Sequence, residues 1–332
     1  WVAAPSSTIA SDGLGPYYNA RSCQGCHIKD GRGHPPMAGE TNMVSKLFAL
    51  STVEGGPDPI YGHQFQDQAI PGQASEGRIS VFYNEHAFTY PDGSTVMLRT
   101  PAYETTAALS EGVSLNPRIA PPMIGLGLIE AIAAEDIIAQ ADPGDQDGDG
   151  ISGRARVLAD GALGRFGWKA AAPDLLTQSA IAFSNDMGLS THLRPAAYGD
   201  CTATQIECRD SFHGDNDGLP EISDDLLNLV TFYSANLAVP ARRDMDDPLV
   251  LRGKELFYSV GCTGCHTPKF ATAATAAPAQ RNQLIWPYSD FLLHEMGPGL
   301  ADTNPTADVA GAEWRTPPLW GIGLTETVNG HT

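Results

Sequence analysis

Two pentapeptides of the same pattern carry the most specific chemistry in this chain: residues 23–27, Cys-Gln-Gly-Cys-His, and residues 262–266, Cys-Thr-Gly-Cys-His. Two thiols at this spacing, followed directly by a histidine, are the attachment signature of a c-type haem. The thiols form thioethers to the haem, and the histidine becomes the proximal ligand of its iron. The sequence therefore predicts two covalently bound haem c groups. Their predicted attachment residues are Cys23, Cys26 and His27 for the first haem, and Cys262, Cys265 and His266 for the second.

The bulk composition limits the classes of partner. The chain has 332 residues, of which 42% are hydrophobic and 18% charged, and its formal net charge is −19. This balance is typical of a globular protein of two domains or one large one, and it argues against nucleic acid and anionic membrane surfaces as partners. The negative charge is compatible with a basic redox protein as partner, or it serves only to keep the protein soluble. No run of 18 apolar residues exists, so we expect no transmembrane helix.

The two remaining cysteines, Cys201 and Cys208, enclose a short polar loop. Covalent haem attachment implies an oxidising compartment outside the cytoplasm, so we predict that this pair forms a disulfide, with two thiols as the alternative. The expected location is the periplasm or another exported one. Because the chain opens on Trp1 without a signal peptide, we expect that an export signal has been removed.

An acidic segment predicts a metal ion. Asp145, Asp147 and Asp149 occupy positions 1, 3 and 5 of a calcium-binding loop, and Gly150 occupies the position of its sharp turn. The position of the usual bidentate glutamate holds Arg156, so the segment is not a complete EF-hand. We expect Ca²⁺ on these carboxylates; the alternative is a solvated acidic turn.

Periodicity and an internal repeat give the expected architecture. Helices are predicted over residues 40–53, 173–183, 223–237 and 248–260, and strand-like runs at 79–83 and 94–100 flank an Asp-Gly turn and predict a small hairpin. Residues 121–130 and 317–326 share the pattern Pro-Pro-x-x-Gly-x-Gly-Leu-x-Glu, and each copy follows a haem motif. This repeat indicates two haem modules of common ancestry. We place the first, with the hairpin and calcium loop inserted, at residues 1–240 and the second at residues 241–332.

At this point the chain resembles the di-haem thiol oxidoreductases, relatives of the bacterial di-haem cytochrome c peroxidases and MauG-type enzymes. The resemblance implies a mainly α-helical protein of two cytochrome-c-like haem domains with long loops. It implies that the haem on His27 is reactive and that the haem on His266 passes electrons, with Ca²⁺ often between the domains. Relatives continue past Thr332, so the second domain is expected to be incomplete. The resemblance is carried by residues 23–36, 121–130, 149–154, 165–169, 253–266, 289–302 and 315–324.

The other groups at the two irons are less specified. Met296 follows the second motif and is the candidate sixth ligand of that iron, although a methionine more often packs on a haem face. His63 is a candidate displaceable ligand or acid–base group at the first haem. Glu130 is a candidate distal carboxylate, but its repeat partner Glu326 favours a structural cap. Arg32 could meet a haem propionate or be solvated.

Trp168 is the candidate electron carrier by resemblance, with an ordinary core tryptophan as the alternative. These features predict an exported peroxidase-like oxidoreductase that reduces hydrogen peroxide, with a small redox protein as electron donor. The alternatives are MauG-like oxidation of a partner protein, an electron-transfer cytochrome with both irons permanently six-coordinate, and a structural or sensing module in metal uptake.

Overall fold

The computed structural model describes residues 1–4, 13–37, 45–215 and 218–330. By contacts the chain divides into two compact units, each of which we treat by itself. The first unit comprises Trp1–Ile28, Gly33–Ala120 and Phe183–Glu221, and the second comprises Lys29–Arg32, Pro121–Ala182 and Ile222–Thr332. The haem-domain boundary at residue 240 stays a prediction; position 240 itself falls inside the second unit.

The regular elements are short and mixed. The strands are β1 (Tyr17–Tyr18), β2 (Lys46–Ser51), β3 (Gln64–Phe65), β4 (Gln68–Ala69), β5 (Ile79–Thr89), β6 (Thr95–Thr105), β7 (Ser114–Ile119), β8 (Phe270–Ala271), β9 (Leu284–Ile285), β10 (Leu293–Glu295) and β11 (Glu313–Arg315). The helices are α1 (Cys23–Cys26), α2 (Leu126–Glu130), α3 (Ala134–Ile138), α4 (Leu175–Met187), α5 (Ile206–Arg209), α6 (Asp224–Ala235), α7 (Pro248–Ser259) and α8 (Thr325–Asn329). Short 3₁₀ turns lie at Ile28–Asp30, Cys262–Gly264 and Ile322–Leu324.

The expected mainly α-helical fold is wrong. The protein is about 22% helix and 22% strand, with several small sheets. Glycine and proline, 35 and 25 residues respectively, interrupt most apolar runs before a long helix can form. No helix among the described residues has the length and apolarity needed to cross a membrane.

The helix predicted over residues 40–53 is also wrong. Residues 38–44 lie outside the described part of the chain, so the comparison covers residues 45–53. Residues 46–51 form β2, which pairs antiparallel with β7 and β3. Phe48 and Leu50 lie on one face of β2 and pack with Phe65, Ile79 and Val81 in the core of the first unit. Alternate burial along a paired strand, rather than a helical face, accounts for the apolar pattern.

The other local predictions hold. The hairpin is the pair β5–β6, eleven residues in each strand and longer than expected. Helices α4, α6 and α7 lie where periodicity places them, and Ser223 and Asp247 cap the last two with side-chain oxygens. Cys201 and Cys208 form the predicted disulfide.

The core of the second unit surrounds the first copy of the Pro-Pro repeat. Ile129 and Ile132 pack there with Phe166, Leu175 and Phe291, among others. In both repeat copies the first glycine has a left-handed backbone, with φ of 72° at Gly125 and 69° at Gly321, and opens a short helical segment. This shared conformation supports a common origin for the two copies.

Candidate haem sites and the groups around them

The first motif is presented by one helical turn in the first unit. Residues 23–26 form α1, which Ser22 caps by accepting a hydrogen bond from the Gly25 N–H at 3.3 Å. The His27 N–H donates to the Cys23 carbonyl at 2.8 Å. Cys23 is exposed, Cys26 is half-buried, and neither belongs to the disulfide. The turn therefore holds both thiols next to the imidazole, as haem attachment requires.

A buried polar network faces Cys26. Gln64 donates from Nε2 to Asn19 Oδ1 at 2.7 Å and to Asp186 Oδ1 at 2.9 Å, and Asn19 Nδ2 donates to Asp67 Oδ1 at 3.0 Å. Burial, and then the charges of Asp186 and Asp67, raise the pKa of the Cys26 thiol to about 11. Burial also raises the pKa of Asp186 to about 6. Carboxyl groups with raised pKa values thus lie near the first motif.

Glu76 is a buried carboxyl of the first unit that accepts two short hydrogen bonds. The Gln66 N–H donates to Glu76 Oε2 at 2.6 Å, and Gln205 Nε2 donates to Glu76 Oε1 at 2.6 Å. Burial raises the pKa of Glu76 to about 8, so the carboxyl is largely protonated at neutral pH. Gln66 Nε2 donates to the Asn185 carbonyl at 2.7 Å, which connects this pair to the segment that contains Asp186.

The side-chain oxygen of Gln66 has no hydrogen-bond partner among the described residues, although Gln66 is only 3% exposed. A buried acceptor without a donor is costly unless a small ligand or water fills the place. Gln66 Oε1 can accept a hydrogen bond from such a molecule.

His63 lies beside this network but faces outward. Its side chain is 68% exposed, and its Nδ1 lies 3.1 Å from Asp200 Oδ1. The hydrogen bond to Asp200 raises the pKa of His63. The Asp200 carboxylate also accepts the N–H groups of His63 and Gln64. Its assignment as an acid–base group or ligand stays a prediction.

In the second motif, a backbone carbonyl determines which nitrogen of His266 carries the proton. His266 Nδ1 lies 2.6 Å from the Tyr288 carbonyl oxygen, and because that oxygen can only accept, Nδ1 carries the proton. Nε2 then keeps the lone pair that an iron ligand requires. The Phe257 ring packs edge-on against His266 and Tyr288, with centroid distances of 6.2 and 5.4 Å.

A cavity of about 450 Å³ adjoins this histidine. Phe257, Tyr288 and Leu319 give it apolar walls, while Arg242, Arg243 and Lys254 give it three cationic side chains. A haem needs apolar contact for its ring and cations for its two propionates. The residues around the second motif therefore fit a haem.

A buried ion pair flanks the same motif. His294 Nε2 lies 2.8 Å from Asp290 Oδ2, and both side chains are at most 5% exposed. His294 Nδ1 lies 2.9 Å from the Ser152 carbonyl and 3.6 Å from Cys265 Sγ. Burial alone would lower the pKa of His294, but the hydrogen bonds to Asp290 and Cys265 raise it to about 10. Both ring nitrogens are thus occupied, which leaves His294 no lone pair for iron.

Met296 follows β10 at the surface. Met296 is 49% exposed, and its backbone N–H donates to the Ala312 carbonyl at 2.9 Å. Its role as a sixth ligand stays a prediction.

Three further candidates lie in the second unit. The Arg32 guanidinium sits 5.8 Å from the centre of the Trp168 ring, which in turn packs edge-on against Trp314 at 6.2 Å. The structure therefore brings Arg32 and Trp168 together. Glu130 Oε1 accepts the Leu175 N–H at 2.8 Å at the start of α4. This contact is the one expected of the structural cap.

The predicted calcium ligands converge. One carboxylate oxygen each of Asp145, Asp147 and Asp149 lies within 4.8 Å of the others. The loop packs against the second motif, because a Cβ at Gly264 would lie 2.6 Å from Ile151 Cδ1 and 3.3 Å from Asp149 Oδ2. Three hard oxygen ligands at this spacing suit a divalent cation such as Ca²⁺.

Comparison with known families decides the class. The family described as "di-haem oxidoreductase, putative peroxidase" matches residues 61–332. The chain belongs to this di-haem oxidoreductase family. Searches of curated proteins and of solved structures found no match. The resemblance inferred from the motifs is confirmed.

Sequence reasoning missed the buried Glu76 carboxyl and its two hydrogen-bond donors. Gln66 and Glu76 lie within the matched range but in no motif. Gln205 is 129 positions from the carboxyl that it contacts. No local pattern marks such a triad, because it forms only when the loop that contains Gln205 meets the segment after β4. The local sequence carries no signal for it, since residues 61–69 are polar at most positions.

Proposed function

We propose that this di-haem oxidoreductase is an exported c-type peroxidase, which reduces hydrogen peroxide to water with electrons from a small redox protein. The reaction is H₂O₂ + 2 e⁻ + 2 H⁺ → 2 H₂O. Electrons enter at the haem on His266 and pass to the haem on His27. Support for covalent attachment comes from the two motifs, whose four cysteines lie outside the disulfide. Support for export comes from the Cys201–Cys208 disulfide, since such bonds persist in oxidising compartments.

The observation that carries the proposal is the Glu76–Gln66 pair. Bound haem would supply an iron that binds peroxide and takes part in its reduction. Glu76, protonated at neutral pH, gives a proton to the departing oxygen and recovers it from the second oxygen or from solvent. Gln66 Oε1 accepts a hydrogen bond from the peroxide hydroxyl and orients it.

The residues of the second unit have a different task. His266 presents Nε2 to the second haem, and the cations Arg242, Arg243 and Lys254 would neutralise its propionates. Ca²⁺ on Asp145, Asp147 and Asp149 would offset three carboxylates beside the second motif.

Electron paramagnetic resonance of the as-isolated and half-reduced protein tests the proposal. We expect a high-spin ferric haem in at least one of these states and a change in its spectrum on adding peroxide. Absence of high-spin iron in both states, together with no response to peroxide, would overturn the peroxidase function. That outcome would instead identify an electron-transfer cytochrome.

A further inference from the structure

The Glu76 carboxyl is held by two donors, and one of them comes from a disulfide-closed loop. Gln66 N–H meets Oε2, and Gln205 Nε2 meets Oε1, each at 2.6 Å. Gln205 lies between Cys201 and Cys208, whose Cα atoms are 6.4 Å apart. Both cysteines are buried, Cys208 fully so, which anchors the loop in the first unit.

The orientation of the Gln205 amide is fixed by its own loop. Its Oε1 accepts the Thr202 N–H at 2.8 Å, so the other end of the amide, Nε2, must face Glu76. The backbone of Gln205 is held too: its N–H donates to the Thr202 carbonyl, and its carbonyl accepts the Arg209 N–H of α5. An amide fixed at its oxygen cannot flip, so it always offers the carboxyl a donor.

The second donor to Glu76 is connected to the same loop. Asp200, the residue before Cys201, accepts the N–H groups of His63 at 2.6 Å and Gln64 at 3.1 Å. Gln64 begins β3, and Gln66 follows that strand directly. The loop and the residue before it therefore hold both sides of the carboxyl.

The charged surroundings of Glu76 otherwise oppose its ionisation. The carboxylates of Asp200 and Asp58 act on it unfavourably, and the phenols of Tyr17 and Tyr61 lie near enough to have their own pKa values raised by it. Against burial and these charges stand only the hydrogen bonds from Gln66 and Gln205. Removal of either donor should leave the ionised carboxylate markedly less stable.

We propose that Gln205, carried by the Cys201–Cys208 loop, is a positioning residue that fixes the Glu76 carboxyl and stabilises its ionised form. The inference rests on the proposed function for the statement that Glu76 transfers the protons of peroxide reduction. The disulfide loop thereby sets the pH range in which the acid both gives and recovers a proton.

Three variants of the holoprotein test this. Gln205→Glu keeps an oxygen for the Thr202 N–H but loses the donor to Glu76, Gln205→Met loses both, and Thr204→Val, next to it in the loop, is the matched control. The ionisation of Glu76 is followed by infrared difference spectra against pH, with the Glu76→Gln variant identifying its carboxyl band. The pH profile of the rate constant for peroxide reduction is measured in parallel.

Both Gln205 variants should move the Glu76 midpoint upward by about one pH unit or more, since a hydrogen bond to a charged group is worth about that much. Thr204→Val should leave the midpoint in place. An unmoved midpoint in Gln205→Glu, whose loop turn is retained, would overturn the positioning role. If the infrared midpoint moves but wild-type protein does not react with peroxide, the proposed function fails and the positioning role stands.

Discussion

The two haem motifs share five residues of pattern and almost nothing of their surroundings. Around Cys26 lie amides and carboxyls, and burial raises the pKa values of the Asp67 and Asp186 carboxyls. Around Cys265 lie the Asp290–His294 ion pair, the Tyr288 carbonyl and a cavity with three cations. The first surrounding combines uncharged amides with carboxyls that protonate more readily than usual, and the second supplies charged side chains.

This difference matches what the two stages of peroxide reduction require. Cleavage of an oxygen–oxygen bond consumes protons at the place where it happens, so it needs a group that changes its protonation state. Electron storage needs the opposite, namely a site whose charges do not change with each turnover. Under the proposed function, the duplicated motif would occupy two settings that divide the work between them.

The largest effect that this comparison predicts is on Glu76. Glu76→Gln keeps the shape of the side chain but removes the proton, so we expect peroxide reduction to slow by about 10²–10⁴-fold. The spectrum of the haem on His266 should not change. Stopped-flow mixing with peroxide measures the rate, and Glu104→Gln, on the exposed strand β6, is the control. Equal rates in wild type and Glu76→Gln would remove the functional distinction between the two settings.

The same variant should also change how the free energy of unfolding depends on pH. The unfolded chain releases the Glu76 proton near pH ~4.3, whereas the folded protein keeps it until about pH 8. Between these values unfolding releases a proton, so the folded state loses stability as pH rises, and the loss levels off above pH 8. Glu76→Gln should abolish this slope in urea titrations recorded at several pH values.

A second prediction compares buried carboxylates in the two settings. Asp290→Asn leaves the His294 charge buried without its partner, which should destabilise the second unit by about 3–5 kcal/mol. The matched change Asp186→Asn removes a carboxyl of the first setting whose hydrogen-bond donor is the uncharged Gln64 amide, so its cost should be only about 1 kcal/mol. Urea unfolding of both variants measures the two values. Equal costs would mean that Asp290 and His294 do not act as a fixed charge pair.

The prediction of haem attachment could be made from the sequence because the motif that carries it is local. Cys-x-x-Cys-His at residues 23–27 and 262–266 needs one turn of chain, and so does the carboxylate spacing of the acidic loop. The Cys201–Cys208 pairing followed from its short loop and the compartment. Capped amphipathic helices such as α6 and α7 were predictable for the same reason.

What could not be predicted depends on distant segments. β2 is a strand because β7, some 70 positions later, pairs with it and because its alternate residues reach the core. The expectation of a mainly helical fold came from resemblance, and resemblance did not reveal how much of the chain pairs as small sheets. Glu76 showed no feature of its own; its properties come from burial and from donors at positions 66 and 205.

The smallest predicted effect concerns the acidic loop. It tests whether a bound cation is one of the charged groups beside the second motif. Asp149 lies against Gly264 of the second motif, so three mutually close carboxylates repel one another beside a haem unless a cation neutralises them. Calcium at about 100 times its dissociation constant should raise stability by about 2.7 kcal/mol.

Asp147→Asn should remove most of this calcium response, whereas Asp246→Asn, an exposed aspartate outside the loop, should retain it. Thermal unfolding with added calcium and with a chelator measures the difference, and metal analysis of the purified protein counts the bound ion. The reduction potential of the haem on His266 should fall when calcium is removed, because uncompensated negative charge near an iron favours its oxidised form. If chelation changes neither the reduction potential of this haem nor the melting temperature, the loop is an ordinary acidic turn. The fixed charge of the second setting would then come from the ion pair and the cavity cations alone.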